Sequence, residues 1–279
     1  MTMEQIESLK TSQQIGLMRE AGLVVAGALA VVRGLVAPGV STAELNDAAY
    51  SCITDAGAKP SFLGYRDFPA TLCTSVNEEI VHGIPSARRV LRDGDMVSID
   101  CGAIVDGWHG DSAITVPVGE VRPQLARLIE VCTDAMWAGI AAAKVGGHLS
   151  DISAAVERAV KHAANKQGNS DRYGIVRGYG GHGIGTRLHE DPYLSNYGKA
   201  GRGPLLATGT VLAIEPMITL GSASTRELAD GWTVVSKDGS AAAHTEHTFA
   251  LTEDGVFVLT QPDGGSAQLG EAASGLCQG

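Results

Sequence analysis

Residues 96–111 read MVSIDCGAIVDGWHGD, and this stretch of the sequence predicts a β-hairpin. Side chains that alternate in character before Asp106 indicate a strand, and the pair Asp106-Gly107 is a strong signal for a two-residue hairpin turn. If these two residues form the loop, Gly102 on the first strand faces Asp111 on the second strand. The sequence therefore predicts the register of this hairpin as well as its turn.

The predicted register brings two aspartates together. Asp100 lies two residues from Gly102 and shares its strand face, so Asp100 and Asp111 are diagonal neighbours about 7–8 Å apart at the backbone. Either aspartate alone is more simply interpreted as a solvated polar residue. Isoleucine and valine around Asp100 favour partial burial, however, and two carboxylates placed in this way disfavour folding unless a cation lies between them.

Three other segments carry side chains that could join the aspartates. His182 lies among four glycines in Tyr-Gly-Gly-His-Gly-Ile-Gly, where the backbone can approach an ion or a substrate closely. Glu215 follows Val-Leu-Ala-Ile and Glu246 precedes His-Thr-Phe-Ala-Leu, so both acids lie in or beside apolar strands. An unpaired carboxylate is costly there, and neither segment has lysine or arginine two positions away on the same face. We therefore prefer a metal to a salt bridge.

One metal site is predicted from five side chains: Asp100, Asp111, His182, Glu215 and Glu246. Four carboxylates and one imidazole buried together would repel each other unless a cation lies among them. The set has too many oxygens for a tetrahedral zinc site, which prefers nitrogen and sulfur. It suits two divalent ions that share bridging carboxylates and a water-derived hydroxide. The remaining histidines, including His244, are interpreted as surface residues or as neighbours of the ligands.

The composition limits the class of protein. The chain has 279 residues, of which 44% are hydrophobic and 19% charged, so it can build a sizeable core. The net charge is −10, whereas nucleic-acid-binding proteins typically carry an excess of positive charge. The cysteines are scattered without a Cys-x-x-Cys pair, and no basic flank precedes an apolar run at the N-terminus. We therefore expect a reduced, cytoplasmic protein without a signal peptide.

The order of predicted elements repeats along the chain. Thr11 and Gln14 form a predicted capping box ahead of a first helix, and a second helix follows over residues 41–57. Residues 128–144 and 150–164 predict another helix pair, which is separated by a glycine break. Each pair is followed by strands that carry site residues. This pattern indicates a weak internal duplication, with the site where the two halves meet.

The chain is predicted to be one α+β domain, because no Pro/Ser-rich linker divides it. Residues 1–260 are assigned to this single catalytic domain, and the Gly/Ala/Ser-rich residues 261–279 to a flexible C-terminal tail. The most apolar stretch, residues 21–37, contains Arg33 and is too short to span a bilayer comfortably. We therefore interpret it as a buried helix.

In unbroken order over residues 10–260, these motifs resemble the type I, bacterial methionine aminopeptidases. The resemblance rests on His-Gly-Ile-Pro around His82, Ile-Asp through Gly-Asp-Ser around the aspartates, Gly-His-Gly-Ile-Gly, Ile-Glu-Pro-Met and Glu-His-Thr. It implies the pita-bread fold, with two pseudo-symmetric halves and a curved antiparallel sheet covered by helices. It also implies removal of the N-terminal methionine from nascent proteins whose second residue is small.

The resemblance also implies roles for the polar residues. One ion would be held by Asp100 and Asp111, and the other by Asp111, His182, Glu215 and Glu246, with Asp111 and Glu246 bridging the two ions. A hydroxide activated by the ions would attack the first peptide carbonyl, and Glu215 would carry the proton from water to the leaving amine. His82 and His189 match the two catalytic histidines that do not bind metal. His189, with His82 nearby, would stabilise the tetrahedral intermediate.

The same resemblance implies a pocket for the methionine side chain. Its lining would be Phe62, Tyr65, Phe68, Cys73, His82, Leu188, His189 and Trp232. Aromatic rings and sulfur suit an unbranched thioether, although an ordinary core is the simpler interpretation of the aromatics alone. Phe62 and Leu188 depart from the family, which often has a small residue at the first position and an aromatic at the second.

Two alternatives stay open. A proline-specific relative, such as aminopeptidase P or prolidase, has the same fold and ligands, but usually has glycine and an aromatic after Ile-Glu-Pro, where this chain has Met217. A pita-bread protein without its ligands would be a non-catalytic binding protein, whereas this chain has all five ligands.

The resemblance finally implies cofactors and partners. We expect two divalent ions per chain, either cobalt, manganese, iron or zinc, because oxygen-rich sites with one histidine accept several metals. The expected partners are N-terminal methionyl peptides and nascent polypeptides, with transient ribosome contact. We expect a monomer without nucleic-acid specificity or membrane attachment.

Overall fold

The structure is a computed structural model that describes residue 6, residues 8–166 and residues 171–274. Its α-helices are α1 (Ser12–Leu35), α2 (Thr42–Asp55), α3 (Pro123–Ala142), α4 (Leu149–Ala164) and α5 (Ser266–Leu269). The first strands are β1 (Lys59–Pro60), β2 (Leu72–Val76), β3 (Glu79–Val81), β4 (Met96–Val105) and β5 (Trp108–Pro117). The strands that follow are β6 (Gly174–Ile175), β7 (Gly181–Gly183), β8 (Glu190–Leu194), β9 (Val211–Ile214), β10 (Met217–Thr219), β11 (Thr225–Glu227), β12 (Val234–Ser236), β13 (Ala242–His244), β14 (Glu246–Thr252) and β15 (Gly255–Val258). Short 3-10 helices cover Tyr65–Asp67 and Gly270–Ala272.

A nine-stranded antiparallel sheet organises the described part of the chain. Its strand order is β1-β4-β5-β14-β9-β7-β8, with β2 also paired to β4 and β15 to β14. Two three-stranded sheets, β13-β10-β6 and β11-β12-β3, complete the strands. The large sheet changes from first-half to second-half strands where β5 pairs with β14, with Ala113 opposite Glu246. The α+β class is therefore confirmed, and the two halves meet within one sheet.

The hairpin of β4 and β5 has the predicted register. Gly102 pairs with Asp111, and the turn residues Asp106 and Gly107 have φ values of 48° and 83°. Positive φ at both central residues is what a type I′ turn requires, and its twist matches that of the strands. The hairpin therefore places Asp100 and Asp111 on one face of the sheet.

Helix α1 packs directly on this hairpin. The predicted capping box is present, with Thr11 and Gln14 bonded to each other's backbone N–H groups. A Cβ atom on Gly110 would lie 2.6 Å from the backbone nitrogen of Gly22, so the strand and the helix touch at their backbones. By length and composition α1 could also cross a membrane, but its apolar face, including Val25, is buried against the sheet.

The second helix pair, α3 and α4, covers the other half of the sheet. Helix α3 begins five residues before the predicted start of residue 128, because Pro123 occupies its first turn, where proline's fixed φ is already helical. Helix α4 begins at Leu149, one residue before the prediction, and ends at Ala164 as predicted. Both helices contribute to the largest hydrophobic cluster, which contains the fully buried Phe249.

The segment after β15 follows the sheet closely. Leu269 of α5 packs against the largest hydrophobic cluster, and Ala273 forms a bridge with Val256. Residues 275–279 lie outside the described residues. The division into a catalytic domain, residues 1–260, and a flexible tail, residues 261–279, stays a prediction.

Candidate active site

One cavity of about 240 Å³ contains every side chain that the sequence assigns to the site. The polar residues at its lining are His82, Asp100, Asp111, His182, His189, Glu215 and Glu246. The apolar residues and the tyrosine are Phe62, Tyr65, Phe68, Cys73, Leu188 and Trp232. The structure therefore brings the predicted ligands, the two predicted catalytic histidines and the predicted pocket residues into one place.

The strands that meet at the sheet centre hold the ligands. The Thr248 hydroxyl forms two hydrogen bonds with the backbone of Asp111. It accepts from the Asp111 N–H at 3.2 Å and donates to the Asp111 carbonyl at 2.8 Å. The Ser112 hydroxyl donates to the carbonyl of Glu246 at 2.6 Å. His182 pairs with Ala213 in the neighbouring strand. Asp100, Asp111, His182 and Glu246 thus lie in paired strands, whereas Glu215 directly follows β9 and its carbonyl accepts a hydrogen bond from Asn196 Nδ2 at 3.0 Å.

The acidic cluster consists of Asp100, Asp111, Glu215 and Glu246, together with the imidazoles of His182 and His244. His182 Nε2 lies 3.6 Å from Glu215 Oε1 and 3.9 Å from Glu246 Oε1. His244 Nε2 lies 3.5 Å from Glu215 Oε2 and 3.9 Å from Glu246 Oε2. Ligand atoms of Asp111, His182 and Glu246 all lie within 4.8 Å of one another, and so do those of Glu215, His244 and Glu246.

Several buried atoms of the acidic cluster have no hydrogen-bond partner in the described part of the chain. They are Asp100 Oδ1, Asp111 Oδ1, Glu246 Oε1 and His244 Nε2. Buried polar atoms in folded proteins are almost always paired, so a convergence of orphaned atoms needs an explanation. Carboxylate oxygens and imidazole nitrogens are the donors that divalent cations take in proteins. The residues present therefore fit a bound metal.

The titration behaviour of the acids agrees with this interpretation. Burial raises the pKa of Glu215 to about 8. Burial also raises the pKa of Asp100 to about 7, although the imidazole of His244 acts in the opposite direction. The pKa values of Asp111 and Glu246 are raised well above their usual range by burial and by neighbouring carboxylates. Either protons or a bound cation must offset the repulsion among these carboxylates, and the raised pKa values mean that without a cation the cluster keeps protons near neutral pH.

The two predicted catalytic histidines face the cluster from the cavity. The ring centroids of His189 and His182 lie 4.4 Å apart, and Tyr65 Oη lies 2.8 Å from His189 Nδ1. Burial lowers the pKa of His82 to about 4, with the imidazoles of His244 and His189 contributing. Burial also lowers the pKa of His189, and the charge of Arg66 adds to this effect. Both imidazoles are therefore neutral near pH 7.

The apolar end of the cavity is compact. Phe62, Phe68, Cys73 and Leu188 form one buried cluster, and Trp232 packs edge-on against Phe68 with centroids 5.0 Å apart. Cys73 is paired with Asp100 in adjacent strands, so this pocket lies directly beside the acidic cluster. Such a pocket can take an unbranched apolar side chain while its main-chain atoms face the acids.

His244, which the sequence left as either a surface residue or a neighbour of the ligands, lies beside the ligands. It is 1% exposed and points Nε2 at two of the glutamates. The signal was its position two residues before Glu246, a spacing that would place both side chains on one face of a continuous strand. Arg66, Tyr179 and Met217 also line the cavity.

Comparison with known proteins gives close relatives. Residues 16–253 match the family described as metallopeptidase family M24. The chain is 52% identical over 251 residues to methionine aminopeptidase 1 from Mycobacterium tuberculosis (strain CDC 1551 / Oshkosh), which covers 90% of this chain and 94% of that protein. The crystal structure of methionine aminopeptidase from Thermotoga maritima matches with a TM-score of 0.86 and 38% identity, covering 92% of this chain and 100% of that chain.

More distant likeness extends to another group of peptidases. Prolidase from Pyrococcus furiosus matches with a TM-score of 0.71 but only 21% identity, and covers 91% of this chain and 65% of that chain. Likeness at this level concerns the fold alone. Together with the closer structure, it confirms the pita-bread fold.

Proposed function

Because this chain belongs to metallopeptidase family M24, we propose that it is a methionine aminopeptidase, a metal-dependent hydrolase that removes the N-terminal methionine from polypeptides. The observation that carries this proposal is the single cavity that holds both an acidic cluster and a compact apolar pocket. The high identity to a methionine aminopeptidase over most of the chain favours this substrate over an Xaa-Pro peptide, for which only the fold likeness speaks.

The acidic cluster provides the metal centre in this proposal. Asp100, Asp111, His182, Glu215 and Glu246 would hold two divalent ions, as their orphaned atoms and the two groups of ligand atoms suggest. When bound, the ions would polarise the scissile carbonyl and lower the pKa of the attacking water. His182 is prepared for this role, because its Nδ1 lies 2.9 Å from the carbonyl oxygen of Gly183 and can donate to it. That bond leaves the lone pair of Nε2 free for a metal.

The protons are moved by groups on this chain. Glu215 accepts a proton from the attacking water at one carboxylate oxygen and returns it to the leaving amine. In the metal-free cluster, burial raises the pKa of this carboxyl to about 8, and bound cations would lower it so that the carboxylate form could accept the proton. The carboxylate lies at the cavity lining, where water and the peptide bond both have access.

His189 stabilises the carbonyl oxygen as negative charge develops there. If the Tyr65 hydroxyl donates to His189 Nδ1 over their 2.8 Å contact, the ring proton lies on Nε2. A neutral imidazole with that tautomer donates a hydrogen bond to the oxyanion. The ring centroid of His82 lies 6.0 Å from that of Tyr179 and 6.1 Å from that of Trp232. His82 assists His189 at the carbonyl oxygen of the substrate.

The apolar pocket selects the first residue of the substrate. Phe62, Phe68 and Trp232 surround the thioether, and Cys73 adds a polarisable sulfur. Leu188 closes the pocket and is 3% exposed. The second residue of the substrate lies at the mouth of the cavity beside Arg66 and must be small, as the resemblance to the family implies.

Peptide cleavage with controlled metal content tests this function. Protein stripped of metal with a chelator is assayed with Met-Ala-Ser and with an Ala-Pro-Ser peptide after each of cobalt, manganese, iron and zinc is added back. We expect release of methionine with at least one metal, none without metal and little cleavage of the Xaa-Pro bond. Preferred cleavage before proline would favour the prolidase alternative. Cleavage that does not depend on added metal would contradict the proposal of a metal-dependent enzyme.

The setting of the reaction is also part of the proposal. Nascent polypeptides are the natural source of N-terminal methionine, so we propose a cytoplasmic enzyme that acts as a monomer in transient contact with the ribosome. A net charge of −10 argues against direct binding of ribosomal RNA by this chain. Sedimentation of the protein with translating ribosomes, at low and high salt, measures such contact.

A further inference from the structure

We propose that His244 is a second imidazole ligand of the metal centre, and that it binds through Nε2 the ion shared with Glu215 and Glu246. This inference rests on the proposed function for the existence of a metal centre. It adds a side chain outside the set of five that the sequence resemblance implies.

The spacing of the atoms fits ligands of one ion. His244 Nε2 lies 3.5 Å from Glu215 Oε2 and 3.9 Å from Glu246 Oε2. Since bonds from a divalent metal to nitrogen or oxygen are about 2.1 Å long, two ligand atoms on one ion lie no more than about 4.2 Å apart. Hydrogen bonds from nitrogen to oxygen rarely exceed about 3.2 Å, and His244 Nε2 has no hydrogen-bond partner among the described residues.

The two histidines of the cluster have equivalent relations to the glutamates. Glu215 and Glu246 each point Oε1 at His182, at 3.6 and 3.9 Å, and Oε2 at His244. Each glutamate therefore spans the distance between the two imidazoles. Both imidazoles would then contribute nitrogen ligands to the metal centre beside its carboxylate oxygens.

The backbone holds His244 in this position. Its N–H donates to the Thr115 hydroxyl at 3.0 Å, and the same hydroxyl donates to its carbonyl oxygen at 2.7 Å. The residue also pairs with Met217 in the adjacent strand. His244 is not among the residues that line the cavity, so its ring closes the acidic cluster from the protein interior. A buried, rigid imidazole with an unpaired nitrogen is an unfavourable arrangement unless an ion completes it.

A second imidazole changes which metals the centre prefers. Carboxylate-only coordination suits magnesium and manganese, whereas imidazole nitrogen suits iron, cobalt, nickel and zinc. Loss of His244 should therefore weaken binding of cobalt more than binding of manganese. We expect His244→Gln to lower the cobalt affinity of the weaker site by at least tenfold relative to its manganese affinity, measured by calorimetric titration of stripped protein.

A direct test of the bond uses nuclear magnetic resonance. Protein with ¹⁵N-labelled histidine rings is saturated with ¹¹³Cd²⁺, and nitrogen–cadmium scalar coupling is recorded. Coupling requires a bond, so a histidine that only donates a hydrogen bond to Glu215 gives none. We expect coupling at two ring nitrogens, one lost in His182→Gln and the other in His244→Gln. His162→Gln, which changes an exposed histidine, should keep both.

Each result of this experiment has one meaning. Coupling at His182 alone overturns the inference and leaves the proposed function intact, because the metal centre is then present with one imidazole. Coupling at neither histidine contradicts the metal centre itself. Affinity measurements cannot replace the coupling, since loss of a neighbour that only orients a ligand also costs about 10–100-fold in metal affinity. The spectrum of the native protein decides the question even if a variant fails to fold.

Discussion

At the scale of single residues, Glu215 has the most demanding position in the site. Its two oxygens face two different imidazoles, at 3.6 and 3.5 Å, while its carboxyl also lies at the cavity lining. The same side chain therefore serves as a proposed ligand and as the proposed proton carrier. A substitution that keeps the shape of the side chain but removes its ability to accept a proton separates its role in catalysis from its role in the fold.

Glu215→Gln should leave the protein folded and reduce kcat strongly. The amide is nearly isosteric and removes one of four repelling carboxyls, but it cannot accept the proton from water. We expect kcat for a Met-Ala-Ser peptide to fall by about 10²–10⁴-fold. Circular dichroism checks the fold, and the exposed Glu253→Gln is the matched control. Near-normal turnover in Glu215→Gln would remove this residue from proton transfer.

Tyr65→Phe tests the orientation of His189. The substitution keeps the ring in the pocket but removes the hydroxyl that lies 2.8 Å from His189 Nδ1. Losing a hydrogen bond worth about 0.5–1.5 kcal/mol should lower kcat by roughly two- to tenfold, with little change in KM. Tyr50→Phe, on the exposed surface of α2, is the control.

A double-mutant cycle distinguishes orientation from general loss of packing. If the Tyr65 hydroxyl acts through the imidazole, Tyr65→Phe should have no further effect on kcat once His189→Ala is present. Additive losses in kcat would show that the hydroxyl acts on the substrate by another route.

The sequence was informative for residues whose chemistry conflicts with their neighbours. Asp100 and Asp111 could be paired because a two-residue turn determines the register of the hairpin. Glu215 and Glu246 could be assigned to the site because acids are rare in apolar strands. His244 gave no such conflict, since a histidine next to alanines is common on a surface. Its role depends on which strand lies opposite, and that is decided by contacts between distant parts of the chain.

At the scale of secondary-structure elements, the glycines of helix α1 determine how closely the helix can pack against the rest of the chain. The helix has several glycines, which weaken a helix in general. Two of them have opposite surroundings: a Cβ atom on Gly22 would lie 2.7 Å from the carbonyl carbon of Leu259, whereas one on Gly27 would meet nothing within 4 Å. The first glycine therefore permits close packing, and the second has no contact that requires it.

Alanine at these two positions should change stability in opposite directions. Gly27→Ala should raise the free energy of unfolding by about 0.5–1 kcal/mol, because alanine costs less backbone entropy in a helix. Gly22→Ala should lower it by about 1–3 kcal/mol, because the helix must move away from Leu259. Urea denaturation measures both values. A destabilising Gly27→Ala or a neutral Gly22→Ala would contradict the packing of α1 described here.

The ends of the elements show what local sequence can predict. The capping box at Thr11 determines the start of α1, and its geometry depends only on neighbouring residues. The start of α3 was predicted five residues too late, since the helix begins at Pro123 and its first turn carries the exposed Gln124 as well as the buried Leu125. Hydrophobic periodicity reports the buried face of a helix and does not by itself determine its first residue.

At the scale of the whole molecule, the acidic cluster joins the two halves of the chain. Asp100 and Asp111 come from β4 and β5, whereas His182, Glu215 and Glu246 come from the second half. The helix pairs and the duplication could be read from the sequence because they are local patterns. The pairing of β5 with β14 could not, since no local signal specifies which strands of two halves become neighbours. The proposed metal centre therefore lies where the fold is least determined by local sequence.

Metal removal should make the stability of the protein depend on pH. In the metal-free protein, the pKa of Glu215 is raised to about 8 and that of Asp100 to about 7, while unfolded carboxyls titrate near about 4. Above about pH 6.5, the unfolded histidines are also largely neutral. The folded state then holds protons that the unfolded state has lost. Stability therefore falls as pH rises from about 6.5 to 8, by up to about 1.4 kcal/mol per pH unit for each proton.

The metal-loaded protein should behave differently, because its cluster carboxylates are ligands and carry no protons to lose. Its free energy of unfolding should be nearly constant over the same pH range, so the stabilisation by metal grows as pH rises. Urea denaturation of chelator-treated and metal-saturated protein at about pH 6.5 and 8 measures the difference. Constant or rising stability of the metal-free protein would mean that the four acids are not buried together, and the metal centre at the seam of the two halves would lose its physical basis.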